Sequence, residues 1–176
     1  MHLVVGLGNP GPKYTGTRHN IGVAALDELA DRHGSSFSGH KRTNTDVAQI
    51  RVNGQPVLLA RPRSLMNLSG QPVKALMGFF KLPPTQLIVL FDDLELDFGE
   101  VHGRLGGGDH GHKGLRSISQ HLGTKEYYKV GLGIGRPPGR MDVASFVLKP
   151  FAAREKDSVP ILCADGADAV ESIIAE

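Results

Sequence analysis

The sequence predicts an α/β fold, a single domain in which a mixed, largely parallel central sheet is flanked by helices. Three observations support it. Short apolar runs, HLVVGLG (2–8) and LIVLFDD (87–93), read as buried strands, and YYKVGLGIG (127–135) reads as another strand. Segments with helical spacing of apolar residues alternate with them. No internal repeat, linker or low-complexity stretch divides the 176 residues, a length at which one domain buries a sizeable core.

Strand 2–8 leads into a polar Gly/Pro loop. NIGVAALDELADRHG (20–34) reads as a helix, with Val23, Leu26 and Leu29–Ala30 near one face and Gly34 as its stop. DVAQIRV and PVLLARP flank Asn53-Gly54, a hairpin signal because both residues tolerate positive φ. In PVKALMGFFK (72–81), Val73, Leu76, Met77 and Phe80 follow the i, i+3, i+4, i+7 pattern, and Pro83-Pro84 ends the helix. Strand 87–93 delivers Asp92 and Asp93 to its C-terminal end. LDFGEVHGRL reads as strand, GGGDHGHKG (106–114) as loop, LRSISQHLG as a short helix and RPPGRMDVASFVLKPF as irregular. The tail, 152–176, reads as mostly helical, with a break or restart at Pro160.

Composition narrows the class. With 40% hydrophobic and 22% charged residues, the chain is ordinary for a soluble protein. No apolar run approaches the roughly 20 residues of a membrane span. The N-terminal MHLVVGLGNPG lacks the basic and apolar regions of a signal peptide. Cys163 is alone, which excludes an internal disulfide and a cysteine-rich zinc site. Together these point to the cytoplasm. The net charge of +2 is compatible with a nucleic-acid partner without requiring one.

Gly6, Gly8 and Gly11 match the G-x-G-x-x-G spacing of a dinucleotide turn. Such a turn needs its third glycine inside the start of a helix, so that amides face the phosphates. Here Pro10 and Pro12 flank Gly11, and TGTRHN delays the helix. The favoured reading is a sharp turn that brings Asn9 and His19 to a common cleft. GGGDHGHKG lacks the GK[ST] of a P-loop. Its Asp109, His110 and His112 suggest a metal, but without a supporting distant ligand. As an array of amides before a helix, with Arg104, Lys113 and Arg116 nearby, the loop can instead grip a phosphate or a substrate backbone. A mobile surface loop is the plainer alternative.

His19 suits general-base work near neutral pH, although a histidine before a helix is more often a capping or surface group. Asp92 raises it above that. Open α/β sheets bind ligands beyond their C-terminal strand ends, and strands 2–8 and 87–93 deliver the His19 loop and Asp92 there. A carboxylate beside an imidazole fixes its tautomer and stabilises its charged form. By strand alternation Asp93 points to the opposite side. Asn67, before the helix that begins near Ser69 or Gly70, either caps that helix or points into the cleft.

NPG at 9–11, TRHNIG at 17–22, PRSLMNLSG at 62–70, FDDLELDFG at 91–99 and GGGDHGHKGL at 106–115 together resemble the bacterial peptidyl-tRNA hydrolase family. The resemblance runs in order from Leu3 to about Phe151. It implies a monomeric α/β enzyme without cofactor or metal. Such an enzyme cleaves the ester joining a peptide to the 3′-terminal ribose of tRNA, releasing tRNA from aborted translation. Carried over, it makes His19 the base that activates water and Asp92 its orienting carboxylate. Asn9 and Asn67 would hold the substrate and the water or developing oxyanion. Met66 would shape the peptide side of the cleft, supported by Tyr14 and Asn20. The loop with Gly107, Gly108 and His112 would bind the peptide backbone, and Arg104 a tRNA phosphate.

The chain departs from that family at three positions. Lys113 stands where an asparagine is usual, Phe91 where a histidine is, and Gly131 where an arginine is; the tail is also short. Two alternatives stay in view, the first of them because of these departures. One is a fold-retaining RNA-binding paralogue with weak or altered hydrolase activity. The other is a nucleotide-dependent oxidoreductase, resting on the first glycine pattern alone. Lys113 itself reads as turned outward to a tRNA phosphate.

Overall fold

A computed structural model describes residues 1–176. Its centre is one seven-stranded sheet. The strands are β1 (His2–Gly6), β2 (Ser38–His40), β3 (Thr45–Val52), β4 (Gln55–Pro62), β5 (Leu87–Asp93), β6 (Val101–Leu105) and β7 (Tyr128–Gly133). Their order is β2-β3-β4-β1-β5-β7-β6. The four central strands β4, β1, β5 and β7 run parallel. β2 and β3 are antiparallel on one side, and β6 on the other.

β1 and β5 are continuous apolar runs because both their faces are covered; every residue of β5 is buried. Helices α1 (Ile21–Arg32) and α5 (Val159–Ala175) pack on one face against Val4, Ile88, Leu90 and Leu132. Helices α2 (Gly70–Phe80) and α3 (Lys113–Leu122) pack on the other against Leu3, Val5, Val89 and Phe91. The β3–β4 hairpin turns at Asn53 and Gly54, with φ 51° and 76°, the positive values a two-residue turn of this kind demands.

Three readings shift. The strand expected from LDFGEVHGRL occupies only its second half, as β6. The stretch read as irregular contains a short helix, α4 (Val143–Val147). Pro160 stands at the second position of α5, where its missing N–H costs nothing, so it starts the helix rather than breaking it. No helix is long and apolar enough to cross a membrane.

Candidate active site

The first glycine-rich loop does not lead into a helix. Gly11 has φ 101° and opens a single 3-10 turn, Pro12–Tyr14. α1 begins ten residues later, at Ile21, so no helix N-terminus faces the turn as a pyrophosphate would need. The start of α1 instead sits hard against the ends of β1 and β5. A Cβ on Gly22 would fall on the carbonyl of Leu90 and the backbone of Leu7. Only glycine permits this approach, which carries His19 to the end of β5. The same segment is strapped from behind. Arg18 N–H donates to the Lys149 carbonyl at 3.1 Å, and its guanidinium lies 4.0 Å over the Phe146 ring while donating to the Phe146 carbonyl at 3.0 Å.

His19 and Asp92 meet as the strand ends require: Nδ1 of His19 lies 2.8 Å from Oδ2 of Asp92. The other oxygen, Oδ1, lies 2.7 Å from Nε2 of His112. His112 Nδ1 accepts the N–H groups of Gly114 and Leu115 at 3.1 and 3.3 Å, so it caps α3. These bonds assign tautomers. An accepting Nδ1 puts the proton of His112 on Nε2, where Asp92 receives it. Asp92 likewise keeps the proton of His19 on Nδ1 and leaves Nε2 with a lone pair. Burial pushes the Asp92 carboxyl up, but the two imidazoles outweigh it and hold its pKa below the usual carboxylate value. His112, expected among the substrate contacts, has both ring nitrogens committed inside the protein. A helix starting after a glycine-rich loop with no Ser, Thr, Asp or Asn at its cap was the signal for this role.

Asn9 and Asn20 form a reciprocal clamp. Asn9 N–H donates to Oδ1 of Asn20 at 2.8 Å, and Nδ2 of Asn20 donates to the Asn9 carbonyl at 2.9 Å. Oδ1 of Asn9 accepts the N–H of Met66 at 2.7 Å, which leaves its NH₂ without a protein acceptor. Met66 is buried and packs on the first turn of α3 at Gly114. Asn67, next to it, is exposed; its side chain neither caps α2 nor bonds elsewhere. Tyr14 is half-buried, with Lys13 Nζ 5.1 Å from its ring centre.

The second glycine-rich loop is pinned. Arg104 donates from Nη1 to the Gly106 carbonyl at 2.9 Å and from Nη2 to the Gly108 carbonyl at 2.7 Å. A Cβ on Gly107 would collide with that guanidinium. His110 adopts φ 51°, a conformation costly without a partner. Its Nδ1 lies 3.2 Å from Asp93 Oδ2 and 3.0 Å from Glu95 Oε2. Lys113 opens α3 exposed. Two groups of side chains bring ligand atoms close enough for a metal: His19–Asp92–His112 and Asp93–Glu95–His110. The second supplies the distant carboxylates that the loop by itself lacked.

Two of the departures prove to be neighbours. Phe91 and Gly131 are register partners in the β5–β7 pair. A Cβ at 131 would lie 2.7 Å from Asp93 Oδ2 and 3.3 Å from the Phe91 ring. The phenyl ring and the glycine therefore fit as a pair, and the ring also meets His112 edge-on with centroids 5.5 Å apart.

The sequence profile of the peptidyl-tRNA hydrolase family matches residues 3–176. The chain is 62% identical over 169 residues to peptidyl-tRNA hydrolase 1 of Corynebacterium glutamicum, covering 96% of this chain and 93% of that one. It is 59% identical over 172 residues to the peptidyl-tRNA hydrolase of Corynebacterium efficiens, covering 98% and 95%. A crystal structure of a peptidyl-tRNA hydrolase in complex with N-propanol superposes with a TM-score of 0.93 at 30% identity, covering 99% and 89%.

Proposed function

The chain belongs to the peptidyl-tRNA hydrolase family and hydrolyses the ester bond of peptidyl-tRNA, and we propose that His19 is its general base. The observation that carries this is the 2.8 Å contact between His19 Nδ1 and Asp92 Oδ2. It leaves the Nε2 lone pair free to take a proton from water as the water oxygen attacks the ester carbonyl carbon. The imidazolium so formed is stabilised by Asp92. The free NH₂ of Asn9 donates to the developing oxyanion, and Asn67 holds the attacking water. The tetrahedral intermediate collapses by breaking the bond to the ribose oxygen, which takes the proton back from His19. A peptide acid and a free tRNA result.

Every group in this sequence of steps is supplied by the chain. Base catalysis contributes about 10²–10⁴-fold, and each well-placed oxyanion donor about 2.7–4 kcal/mol. Met66, Tyr14, Asn20 and the Gly107–Gly108 loop shape the side of the cleft that takes the peptide. His112 acts through Asp92. Lys113 and the uncommitted N–H groups of Arg104 face tRNA phosphates, so affinity falls with salt. The enzyme works as a cytoplasmic monomer, with residues 1–176 as one domain in which 152–176 form a mostly helical C-terminal tail. No observation favours a binding protein without turnover.

His19→Ala tests the reading. Turnover of peptidyl-tRNA should fall at least about a hundredfold, while binding of deacylated tRNA stays within twofold, because the base acts on water and not on phosphate. Near-wild-type turnover would sink the mechanism.

A further inference from the structure

Lys129 is wholly buried and has no part in the chemistry above. Burying an ammonium is costly unless its hydrogen bonds are met. Here Nζ donates to the carbonyls of Lys125 at 2.8 Å and Gly106 at 3.2 Å. It also lies 3.8 Å from the Tyr127 ring centre. Its neighbour across the β6–β7 pair is Arg104, a second cation. Burial first, and Arg104 next, with Lys125 adding a little, lower the Lys129 pKa to about 8 against the opposing carboxylates of Glu126 and Asp109. Two cations therefore lie side by side at the root of the second glycine-rich loop, and both donate to the carbonyl of Gly106.

A planar trans peptide points its C=O and its N–H in opposite directions, and the chain has no cis bond. With the carbonyls of Gly106 and Gly108 held inward, the N–H groups of Gly107 and Asp109 must face outward. The N–H groups of Gly107, Gly108, Asp109 and His110 all lack an acceptor in the protein. The loop is fixed again beyond them, where His110 meets Asp93 and His112 meets Asp92. Residues 106, 108, 110 and 112 are anchored, and the free donors lie between fixed points. An array of this kind suits the carbonyl oxygens of an extended peptide.

We infer that Lys129 is a positioning residue for hydrolysis, joining Arg104 in holding the Gly106 and Gly108 carbonyls inward so that the Gly107 and Asp109 N–H groups are presented to the carbonyls of the peptidyl group. The inference rests on the hydrolase reading and deepens it. Lys129 touches no substrate; it acts through the loop.

Lys129→Met keeps the unbranched stem and removes the charge and the donors. The experiment compares KM and kcat on peptidyl-tRNA, and Kd for deacylated tRNA, in the two proteins. The expected result is a KM raised at least about fivefold with the Kd for deacylated tRNA within twofold. An unchanged KM overturns the inference. Equal weakening of both also overturns it, because the amides would then serve tRNA phosphates. If the variant does not fold, the wild-type pH profile decides. Losing the ammonium charge weakens a charge-assisted bond by about half. KM for peptidyl-tRNA should therefore rise as pH passes about 8, while Kd for deacylated tRNA does not, and a flat KM overturns the inference. Failure of the hydrolase reading looks different, since it would appear as turnover that survives His19→Ala.

Discussion

His112 gives Asp92 a second imidazole, one whose two ring nitrogens are both committed to hydrogen bonds within the protein. Its Nδ1 accepts two backbone N–H groups while its Nε2–H donates to Asp92 Oδ1 at 2.7 Å. A proton added at Nδ1 would break the cap of α3. Of the two rings on Asp92, His19 is thus the one that keeps a ring nitrogen, Nε2, without a protein partner. The rings lie 5.2 Å apart between centroids.

Asp92→Asn should lower turnover more than His112→Ala does. An amide offers one acceptor oxygen where the carboxylate offers two, so one of the two imidazoles loses its acceptor and the charge is gone. His112→Ala leaves the His19 contact, and removes the cap, worth about 1 kcal/mol, together with one restraint on Asp92. Single-turnover rates on peptidyl-tRNA, with thermal unfolding alongside, separate the two. Equal rates in Asp92→Asn and wild type would give His19 a different partner or none.

Acid should destabilise the fold partly through Asp92. Its pKa is lower in the folded chain than the 3.8 of the free side chain. The unfolded chain therefore takes up the proton first as pH falls. The stabilisation is fully present above pH 3.8 and is lost as pH drops through the folded value. Unfolding temperature followed from pH 6 to pH 2 should fall more steeply for wild type than for Asp92→Asn. Parallel curves would show that the two imidazoles do not hold the carboxylate ionised.

Lys113→Asn should weaken tRNA binding and reduce the slope of log K against log salt by about one phosphate contact. Lys113 is exposed at the first turn of α3 and makes no hydrogen bond or ion pair through its side chain. Binding curves that superimpose from low to high salt would leave it a neutral surface substitution.

Cys163 should resist alkylation in the folded protein. It is buried inside α5. Burial, and then the charges of Glu28 and Asp27, push its thiol up to about 11, and the thiolate is the reactive form. Iodoacetamide at pH 8 should label it only as the chain unfolds. Rapid labelling of the native protein would mean that α5 separates readily from α1.

The sequence by itself determined the elements whose cause is local. The Asn53-Gly54 turn follows from two residues that tolerate positive φ, and β5 from an apolar run of strand length whose bounds, Leu87–Asp93, match the reading. The meeting of His19 and Asp92 was also legible, because the open-sheet rule puts both at C-terminal strand ends. Other features arise only when distant segments pack. β2, three residues with little apolar content, forms because β3 offers it an unpaired edge. His112 reads as a loop histidine until α3 needs a cap and Asp92 needs a second donor, a contact 20 residues apart in sequence. Lys129 stands in the strand run 127–135 with nothing in its local sequence to mark a role. Folding brings the carbonyls of Gly106 and Lys125 to its Nζ, and a cation that would otherwise stay in water becomes the floor of the loop. Propensity acts over a few residues, whereas a buried polar group takes its partners from whatever the packed chain places within hydrogen-bond reach.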